Sequence, residues 1–308
     1  MSAPGPDTWF AILNPASGGG RAWRDRGRIE ACLRNQGLEW TTAVSEHPGG
    51  TVELATRALR EGFTRFIAIG GDGTLNEIVT GLFAADQRPQ GCTLGLIPVG
   101  RGNDWARTHR IPRGYADAAA LLRAGHTTAH DIGVAELGPP QRRVRRCFIN
   151  VAGVGFDAYV VAQTRATRLG PFTYLAGLLR GFVGYRVPRL RLLAQGEQSE
   201  APLFVAFAAL GRYCGGGMHI APQARTDDGL LDVTLIGEVS KLDLIVNLRR
   251  LFDGTILAYR KVRALRVPRL EVSAAEPVGV QADGEWIGET PATFSVLPRA
   301  LRVVVPAR

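Results

Sequence analysis

An aspartate inside a glycine-rich turn is the first place in this chain where chemistry is expected. Residues 70–74 (Gly-Gly-Asp-Gly-Thr) follow the apolar run 66–69, and apolar residues then recur from Leu75 at the spacing of one helix face. Free N–H groups at the start of such a helix can hold phosphate. The Asp72 carboxylate could serve as a ligand for Mg²⁺ or as a hydrogen-bond partner for a substrate hydroxyl. The alternative is an ordinary strand-to-helix turn in which Asp72 only caps a helix.

A second glycine-rich turn lies between a strand predicted at residues 9–13 and a helical segment at residues 22–36. Asn14 and Ser17 offer side-chain hydrogen bonds, and the glycines before Arg21 offer backbone N–H groups. The alternative is a flexible surface loop without a ligand.

A third glycine-rich turn follows the strand predicted at residues 93–97 and precedes another helix. Its Gly100 again allows close approach to the backbone. Asn103 and Asp104 could serve a ligand or only cap the helix. Arg101 could reach a phosphate or crowd a nucleotide.

The elements around these turns alternate between strand and helix, with a further strand at 40–45 and helices at 51–60 and 115–124. This alternation predicts a parallel sheet covered by helices on both faces. Because ligands bind at the carboxyl edge of such sheets, we expect the three turns to form a nucleotide site together. The chain has no Walker A sequence, and Asn76 replaces the third glycine of a dinucleotide fingerprint.

From residue 127 onward the pattern changes to β-rich runs separated by turn signals. The runs lie at residues 128–137, 144–151, 203–210, 230–236, 264–272 and 294–296. They predict a mainly antiparallel β-sandwich domain over residues 127–308, after an α/β domain over residues 1–126. The final strand, at residues 301–305, could return to either domain.

The composition is that of a globular protein with a basic balance, since 37 Lys and Arg residues against 28 Asp and Glu residues give a net charge of +9. This charge favours an anionic partner. No basic motif interleaved with aromatics points to nucleic acid. Four widely spaced cysteines, no signal-peptide pattern and no apolar run long enough for a bilayer predict a cytoplasmic protein.

Residues 70–77, Gly-Gly-Asp-Gly-Thr-Leu-Asn-Glu, resemble the signature of the diacylglycerol kinase catalytic domain family, which includes bacterial lipid kinases and sphingosine kinases. Residues 14–18 resemble its Asn-Pro-x-Ser-Gly motif. Residues 98–107 resemble its Pro-x-Gly-Thr-x-Asn-Asp-x-Ala-Arg motif, with Arg101 where threonine is usual. Further resemblances follow in order at residues 131–133, 148–157, 222–229 and 283–285.

This resemblance implies an ATP-dependent lipid kinase that phosphorylates the hydroxyl of a diacylglycerol-like or related lipid. Glu285 would be the general base, with Asp72 as its partner across a cleft and as a contact to the Mg²⁺ of the nucleotide. Asp228 would hold a structural Mg²⁺, although Asp-Asp-Gly is also a plain turn signal. The implied nucleotide-binding residues are Asn14, Ser17, Gly70, Gly71, Gly73, Thr74, Glu77, Gly100, Arg101, Asn103 and Asp104.

Residues 163–190 combine a helical apolar stripe with arginines. Such a helix could lie on an anionic membrane or line a slot for acyl chains, but core packing against a sheet is the commoner explanation for most of these residues. The lipid substrate that the resemblance implies would be met at a membrane surface, as a peripheral contact. The sequence leaves the oligomeric state open, a homodimer included. The stripe consists of Phe172, Leu175, Leu178, Leu179 and Phe182.

Two other functions stay open from the sequence. An NAD kinase shares Gly-Gly-Asp-Gly but phosphorylates a soluble dinucleotide, and the motifs at residues 14–18 and 100–104 argue against it. A non-enzymatic nucleotide- or anion-binding module would use the basic surface alone.

Overall fold

The computed structural model describes residues 5, 7–84, 89, 91–139, 143–165 and 185–307. The chain divides into two compact units. Unit 1 comprises Met1–Asp131 and Pro298–Arg308, and unit 2 comprises Ile132–Leu297. Two long strands, β5 (Thr127–Leu137) and β15 (Ala292–Val304), contribute residues to both units.

Unit 1 is built on a parallel sheet with the strand order β2-β1-β3-β4-β15. The last strand, β15, joins β4 through the pairs Arg302↔Thr93 and Val303↔Leu94. The α/β class predicted from the alternation of elements is therefore confirmed. The other strands are β1 (Trp9–Leu13), β2 (Trp40–Val44), β3 (Arg65–Gly70) and β4 (Thr93–Pro98).

Helices cover both faces of this sheet. Side chains such as Trp9 and Leu13 share one buried cluster with residues of α1, α2 and α6. Because alternate strand residues point to opposite faces, Phe10 lies on the other face, where its ring is 4.9 Å from that of Phe63. The helices are α1 (Ser17–Arg24), α2 (Arg26–Asn35), α3 (Gly50–Arg60), α4 (Asp72–Leu82), α5 (Asp104–Thr108) and α6 (Tyr115–Ala124).

Unit 2 is an antiparallel β-sandwich, as predicted. The first half of β9 pairs with β8, and its second half pairs with β7 and β10. Among its described residues, unit 2 has two buried apolar clusters, and the larger one includes Phe148 and Phe294, whose rings meet edge to face. The strands are β6 (Val144–Phe148), β7 (Val151–Gly155), β8 (Arg189–Ala194), β9 (Glu197–Ala209), β10 (Leu231–Gly237), β11 (Val262–Val267), β12 (Arg269–Ala274), β13 (Gly279–Ala282) and β14 (Glu285–Glu289).

Several predicted elements have different bounds in the structure. The helix predicted at residues 22–36 breaks at Asp25, between α1 and α2. The run predicted at 264–272 divides at Pro268, which has no N–H to donate to a sheet. The runs predicted at 294–296 and 301–305 are instead one strand, β15, which ends at Val304.

The described part of unit 2 also contains three helices that the sequence patterns did not predict. They are α7 (Phe156–Arg165), α8 (Lys241–Asn247) and α9 (Arg250–Asp253). The apolar stripe predicted at residues 172–182 lies outside the described residues. In the described part of the chain, no helix is both long enough and apolar enough to cross a bilayer.

Candidate functional site

The three glycine-rich turns of unit 1 lie together at the carboxyl edge of its sheet. The hydroxyl oxygens of Ser17 and Thr74 are 3.2 Å apart, which joins the first turn to the second. The N–H groups of Val99 and Gly100 donate to the carbonyl of Gly70 at 2.7 and 3.1 Å, which joins the third turn to the second. Residues distant in the chain thus share one small region.

The glycines in these turns serve two different purposes. A Cβ atom on Gly71 would lie 2.9 Å from Cα of Gly100, and one on Gly100 would lie 2.6 Å from Cα of Gly71. Two backbones approach too closely there for any side chain. Gly73, by contrast, is exposed, and a Cβ atom on it would contact nothing within 4 Å. The backbone at Gly73 is therefore open to a ligand.

The first turn takes its shape from consecutive left-handed glycines. Gly18, Gly19 and Gly20 have φ values of 65, 72 and 83°, a conformation that residues with a Cβ atom rarely adopt. Oδ1 of Asn14 accepts a hydrogen bond from the N–H of Ala16 at 3.1 Å. Asn14 thus supports the entry to the turn.

Asp72 joins the second turn to the third through its carboxylate. Its Oδ2 accepts the N–H of Asp104 at 3.1 Å, and its Oδ1 accepts the N–H of Trp105 at 3.0 Å. These N–H groups open α5, so Asp72 caps that helix, although it is itself the first residue of α4. Each oxygen retains further lone pairs, and the role of Asp72 toward Mg²⁺ or a hydroxyl stays a prediction.

Asn103 offers an acceptor that the described residues leave unused. Its Nδ2 donates to the carbonyl of Gly100 at 2.7 Å. Its Oδ1 is buried and has no hydrogen-bond partner within the described chain. A buried acceptor without a partner is costly, so a ligand donor at this position would stabilise the site.

A cavity of about 660 Å³ opens beside the first and third turns, with Gly18, Gly100 and Asn103 in its wall. The described residues that line it include four arginines against one acid, Asp25, and this positive balance suits a polyphosphate. Asp25 also accepts a hydrogen bond from the Tyr115 hydroxyl at 2.8 Å. The arginines that line it are Arg21, Arg28, Arg101 and Arg113.

Several of these cavity residues were missed by the sequence reading. Arg21, Asp25 and Arg28 follow one another at intervals of four and three residues, a spacing that would align them on one side of a continuous helix. That spacing was an available signal. In the structure Asp25 stands at the break between α1 and α2, and the cavity wall still includes all three residues. Arg113 and Tyr115 stand in and just after a turn with no comparable pattern, so only the fold reveals them.

Arg101 extends over the first turn. A Cβ atom on Gly19 would lie 2.5 Å from Nη2 of Arg101. The exposed guanidinium therefore packs on backbone that only glycine leaves open, and it also forms part of the cavity wall. Whether it binds or crowds a nucleotide stays a prediction.

The remaining nucleotide-site candidates of unit 1 lie on α4 and at the start of α5. Thr74 is buried in the first turn of α4, and Glu77 is half-buried one turn later. Asp104 is buried at the first position of α5. These placements put all three near the second and third turns, and their roles stay predictions.

Glu285, the predicted general base, belongs to unit 2. It is exposed and begins β14 directly after the tight turn formed by Asp283 and Gly284. Both turn residues have positive φ, 47 and 83°, as in a type I′ hairpin. That Glu285 and Asp72 act as partners across a cleft stays a prediction.

The hairpin before Glu285 is fixed by the Asp283 carboxylate. It accepts backbone N–H groups from Ile149 at 2.8 Å, Asn150 at 3.0 Å and Val151 at 2.9 Å. These bonds also explain why the run predicted at 144–151 is two strands, since the chain turns around this carboxylate between β6 and β7. Glu285 therefore stands on a well-supported turn.

Asp228, the predicted ligand of a structural Mg²⁺, already has protein partners. Its Oδ2 bonds to the Arg266 guanidinium, and its Oδ1 accepts the N–H of Leu230 at 3.2 Å. Across the described ranges, no group of three or more His, Cys, Asp or Glu side chains could hold a metal ion. This surrounding does not fit an oxygen cage for Mg²⁺, and the metal role of Asp228 stays a prediction.

Both halves of the chain match known protein families. Residues 8–135 match the diacylglycerol kinase catalytic domain, and residues 150–305 match the YegS C-terminal NAD kinase beta sandwich-like domain. A Pseudomonas aeruginosa protein named "Probable lipid kinase YegS-like" is 35% identical over 281 residues, covering 90% of this chain and 88% of that protein. A Staphylococcus aureus diacylglycerol kinase is 30% identical over 300 residues, covering 96% and 91%.

Solved structures show the same fold at lower identity. A Bacillus anthracis diacylglycerol kinase aligns with a TM-score of 0.72 at 19% identity, covering 97% of each chain. A yeast NADH kinase complexed with NADH aligns with a TM-score of 0.56 at 10% identity, covering 98% of this chain and 84% of that one. The resemblance seen in the sequence motifs is confirmed: the chain belongs to the diacylglycerol kinase catalytic domain family and carries a YegS-type C-terminal domain.

Proposed function

We propose that this protein is an ATP-dependent lipid kinase that transfers the γ-phosphoryl group to the hydroxyl of a diacylglycerol-like or related lipid. The observation that carries the proposal is the convergence of three glycine-rich turns around Asp72 beside an arginine-lined cavity. The names of relatives that align over 90% or more of the chain support the lipid as acceptor.

The residues of unit 1 would bind and orient the nucleotide. Open backbone at Gly73 and the positive helix start of α4 suit phosphate, and the cavity arginines suit the rest of a polyphosphate. Oδ1 of Asn103 would accept a hydrogen bond from a hydroxyl or amino group of the nucleotide. Mg²⁺ bound with the nucleotide would neutralise charge on the phosphates, and Asp72 is the carboxylate of unit 1 that would contact it.

Glu285 would act on the acceptor. Its carboxylate takes the proton from the lipid hydroxyl as that oxygen attacks the γ-phosphorus. The bond from the γ-phosphorus to the β,γ-bridging oxygen breaks, so the products are a phosphorylated lipid and ADP. The rigid turn at Asp283 would hold the base in place while the substrate changes.

Replacing Glu285 with Gln removes the proposed base from an exposed position, so kcat should fall by about 10²-fold or more while the melting temperature stays unchanged. Glu289→Gln is the matched control, because Glu289 is exposed on the same strand. Turnover is measured with γ-labelled ATP and detergent micelles of diacylglycerol, phosphatidylglycerol or a sphingoid base, and with soluble NAD.

Label in one of the lipids is the expected result. Label in NAD alone would replace the proposal with an NAD kinase, and hydrolysis or binding of ATP without an acceptor would favour a nucleotide-binding module. Equal turnover in the Glu285 and Glu289 variants would remove Glu285 from the chemistry.

A further inference from the structure

Residues 238–263 of unit 2 expose apolar side chains that its core does not use. Leu242 is 70% exposed, Val246 68% and Phe252 53%. They are the most exposed of the seven large apolar side chains that stand out from the surface of the described residues. Exposed apolar side chains that lie together mark interaction surfaces, whereas singly scattered ones are ordinary, and these three lie within eleven positions of the chain.

These side chains are held on two linked helices. Leu242 and Val246 are four residues apart in α8 and therefore share one helix face. Asn247 at the end of α8 accepts a hydrogen bond from Nε of Arg250 at 3.0 Å, which ties α9 and its Phe252 to α8. We define the α8–α9 surface as the exposed side chains Leu242, Val246, Arg249, Phe252, Arg260 and Arg263.

Asp243 fixes the orientation of α8. Its carboxylate accepts hydrogen bonds from the Tyr259 hydroxyl and from Nζ of Lys261, both at 2.7 Å, and from the N–H of Ser240 at 2.9 Å. These bonds, above all that from Lys261, hold the pKa of the Asp243 carboxyl well below its usual range. Because the polar side of α8 is held by the protein, Leu242 and Val246 stay exposed.

The charge around the apolar side chains is positive. Residues 238–263 contain six Lys and Arg residues against three acids, a net charge of +3. Two of the acids are engaged within the segment, Asp243 by Lys261 and Asp253 by Thr255 at 2.6 Å and by Arg249 at 3.5 Å. The Arg249 side chain is nevertheless 90% exposed, and Arg260 and Arg263 are exposed as well.

We propose that the α8–α9 surface docks this protein on an anionic phospholipid bilayer. Leu242, Val246 and Phe252 enter the interface between headgroups and acyl chains, and the exposed arginines contact lipid phosphates. Apolar side chains on short helices flanked by Lys and Arg have the composition of an interfacial anchor. The need for such an anchor rests on the proposed function, because a lipid kinase meets its substrate in a bilayer.

The test is cosedimentation of the full chain with vesicles of phosphatidylcholine alone or of equal parts phosphatidylcholine and phosphatidylglycerol. The wild type should bind the anionic vesicles more tightly, and less so at high salt. The combined variant Leu242→Ser, Val246→Ser and Phe252→Ser should bind the anionic vesicles about tenfold more weakly or worse. The reason is that three apolar side chains no longer transfer from water into the bilayer interface. Leu193→Ser is the control, an exposed leucine of β8 outside this surface.

A second variant, Arg249→Glu with Arg260→Glu, should lose about tenfold in binding to anionic vesicles and nothing with phosphatidylcholine alone. The proposal is overturned if the apolar variant binds anionic vesicles as the wild type does, or if the wild type shows no preference for them. It is also overturned if the apolar variant only converts a dimer to a monomer in analytical ultracentrifugation.

Kinase turnover on diacylglycerol in detergent micelles separates this proposal from the proposed function. The surface variants should keep wild-type turnover there, because no vesicle has to be bound. Absence of turnover in every protein would refute the kinase while leaving the vesicle result to decide the docking surface by itself.

Discussion

The turn at Asp72 in unit 1 and the turn at Asp283 in unit 2 contain the same dipeptide, Asp-Gly, and use it differently. Asp72 begins a helix and reaches across to cap another, accepting two backbone N–H groups. Asp283 turns a hairpin and accepts three. A third Asp-Gly, at Asp228, has one N–H and one arginine as partners.

In all three Asp-Gly turns, the aspartate carboxylate accepts hydrogen bonds from backbone N–H groups. A carboxylate accepts N–H groups that would otherwise lack partners at the start of a helix or between two strands. Chemistry is a second use of the same side chain, and it depends on what else the fold brings near. The number of N–H groups held sets an order for how much each carboxylate contributes to stability.

Asp283→Ala should have the largest effect. Three backbone N–H groups lose their acceptor, so the free energy of unfolding should fall by about 3 kcal/mol or more. Urea denaturation followed by tryptophan fluorescence measures this. Asp283→Asn, which keeps one acceptor oxygen, should lose less, and an Ala variant as stable as the wild type would contradict the role given to this carboxylate.

Asp72→Ala should come second, with a loss of about 2 kcal/mol in the free energy of unfolding, because two N–H groups of α5 lose their acceptor. Differential scanning calorimetry and the turnover assay are needed together. Asp72→Asn keeps an acceptor but not the charge, so it should recover part of the stability and none of the turnover. Full turnover in the Asn variant would confine Asp72 to helix capping.

Asp228→Ala should have the smallest effect, no more than about 1 kcal/mol, since it loses one N–H contact and a partly exposed ion pair with Arg266. The melting temperature is measured with and without added Mg²⁺. Equal responses to Mg²⁺ in the wild type and the variant are expected from the contacts of Asp228. A stabilisation by Mg²⁺ that the variant loses would instead support the metal role predicted from the sequence.

Local patterns in the sequence were enough to predict the fold class and most elements of unit 1. Three of its strands, β1, β3 and β4, are short and largely buried runs that lead into the glycine-rich turns. The bounds of α6 agree with the predicted residues, and Gly114 and Gly125 flank it. The breaks inside unit 2 were harder to foresee. The chain divides between β6 and β7 because of the carboxylate of Asp283, more than 130 residues later, and no local pattern shows such a partner.

The candidate site likewise has features that the sequence predicts and features that only the fold shows. The glycine turns are visible as motifs, whereas the partner of Asp72 at α5 and the buried oxygen of Asn103 depend on backbone geometry. α8 and α9 were missed because one is seven residues long and the other four, too short for a helical period to emerge.

The pairing of β15 with β4 has a consequence for the order of biosynthesis. Arg302 and Val303 are synthesised about 200 residues after β4, the strand with which they pair. They cover one edge of a sheet whose other strands are all made earlier. Until then the nascent sheet presents an unpaired β4, the kind of edge that invites wrong partners. A ribosome stalled before residue 302 should therefore hold an incomplete first unit, and truncation at that point should yield aggregating protein.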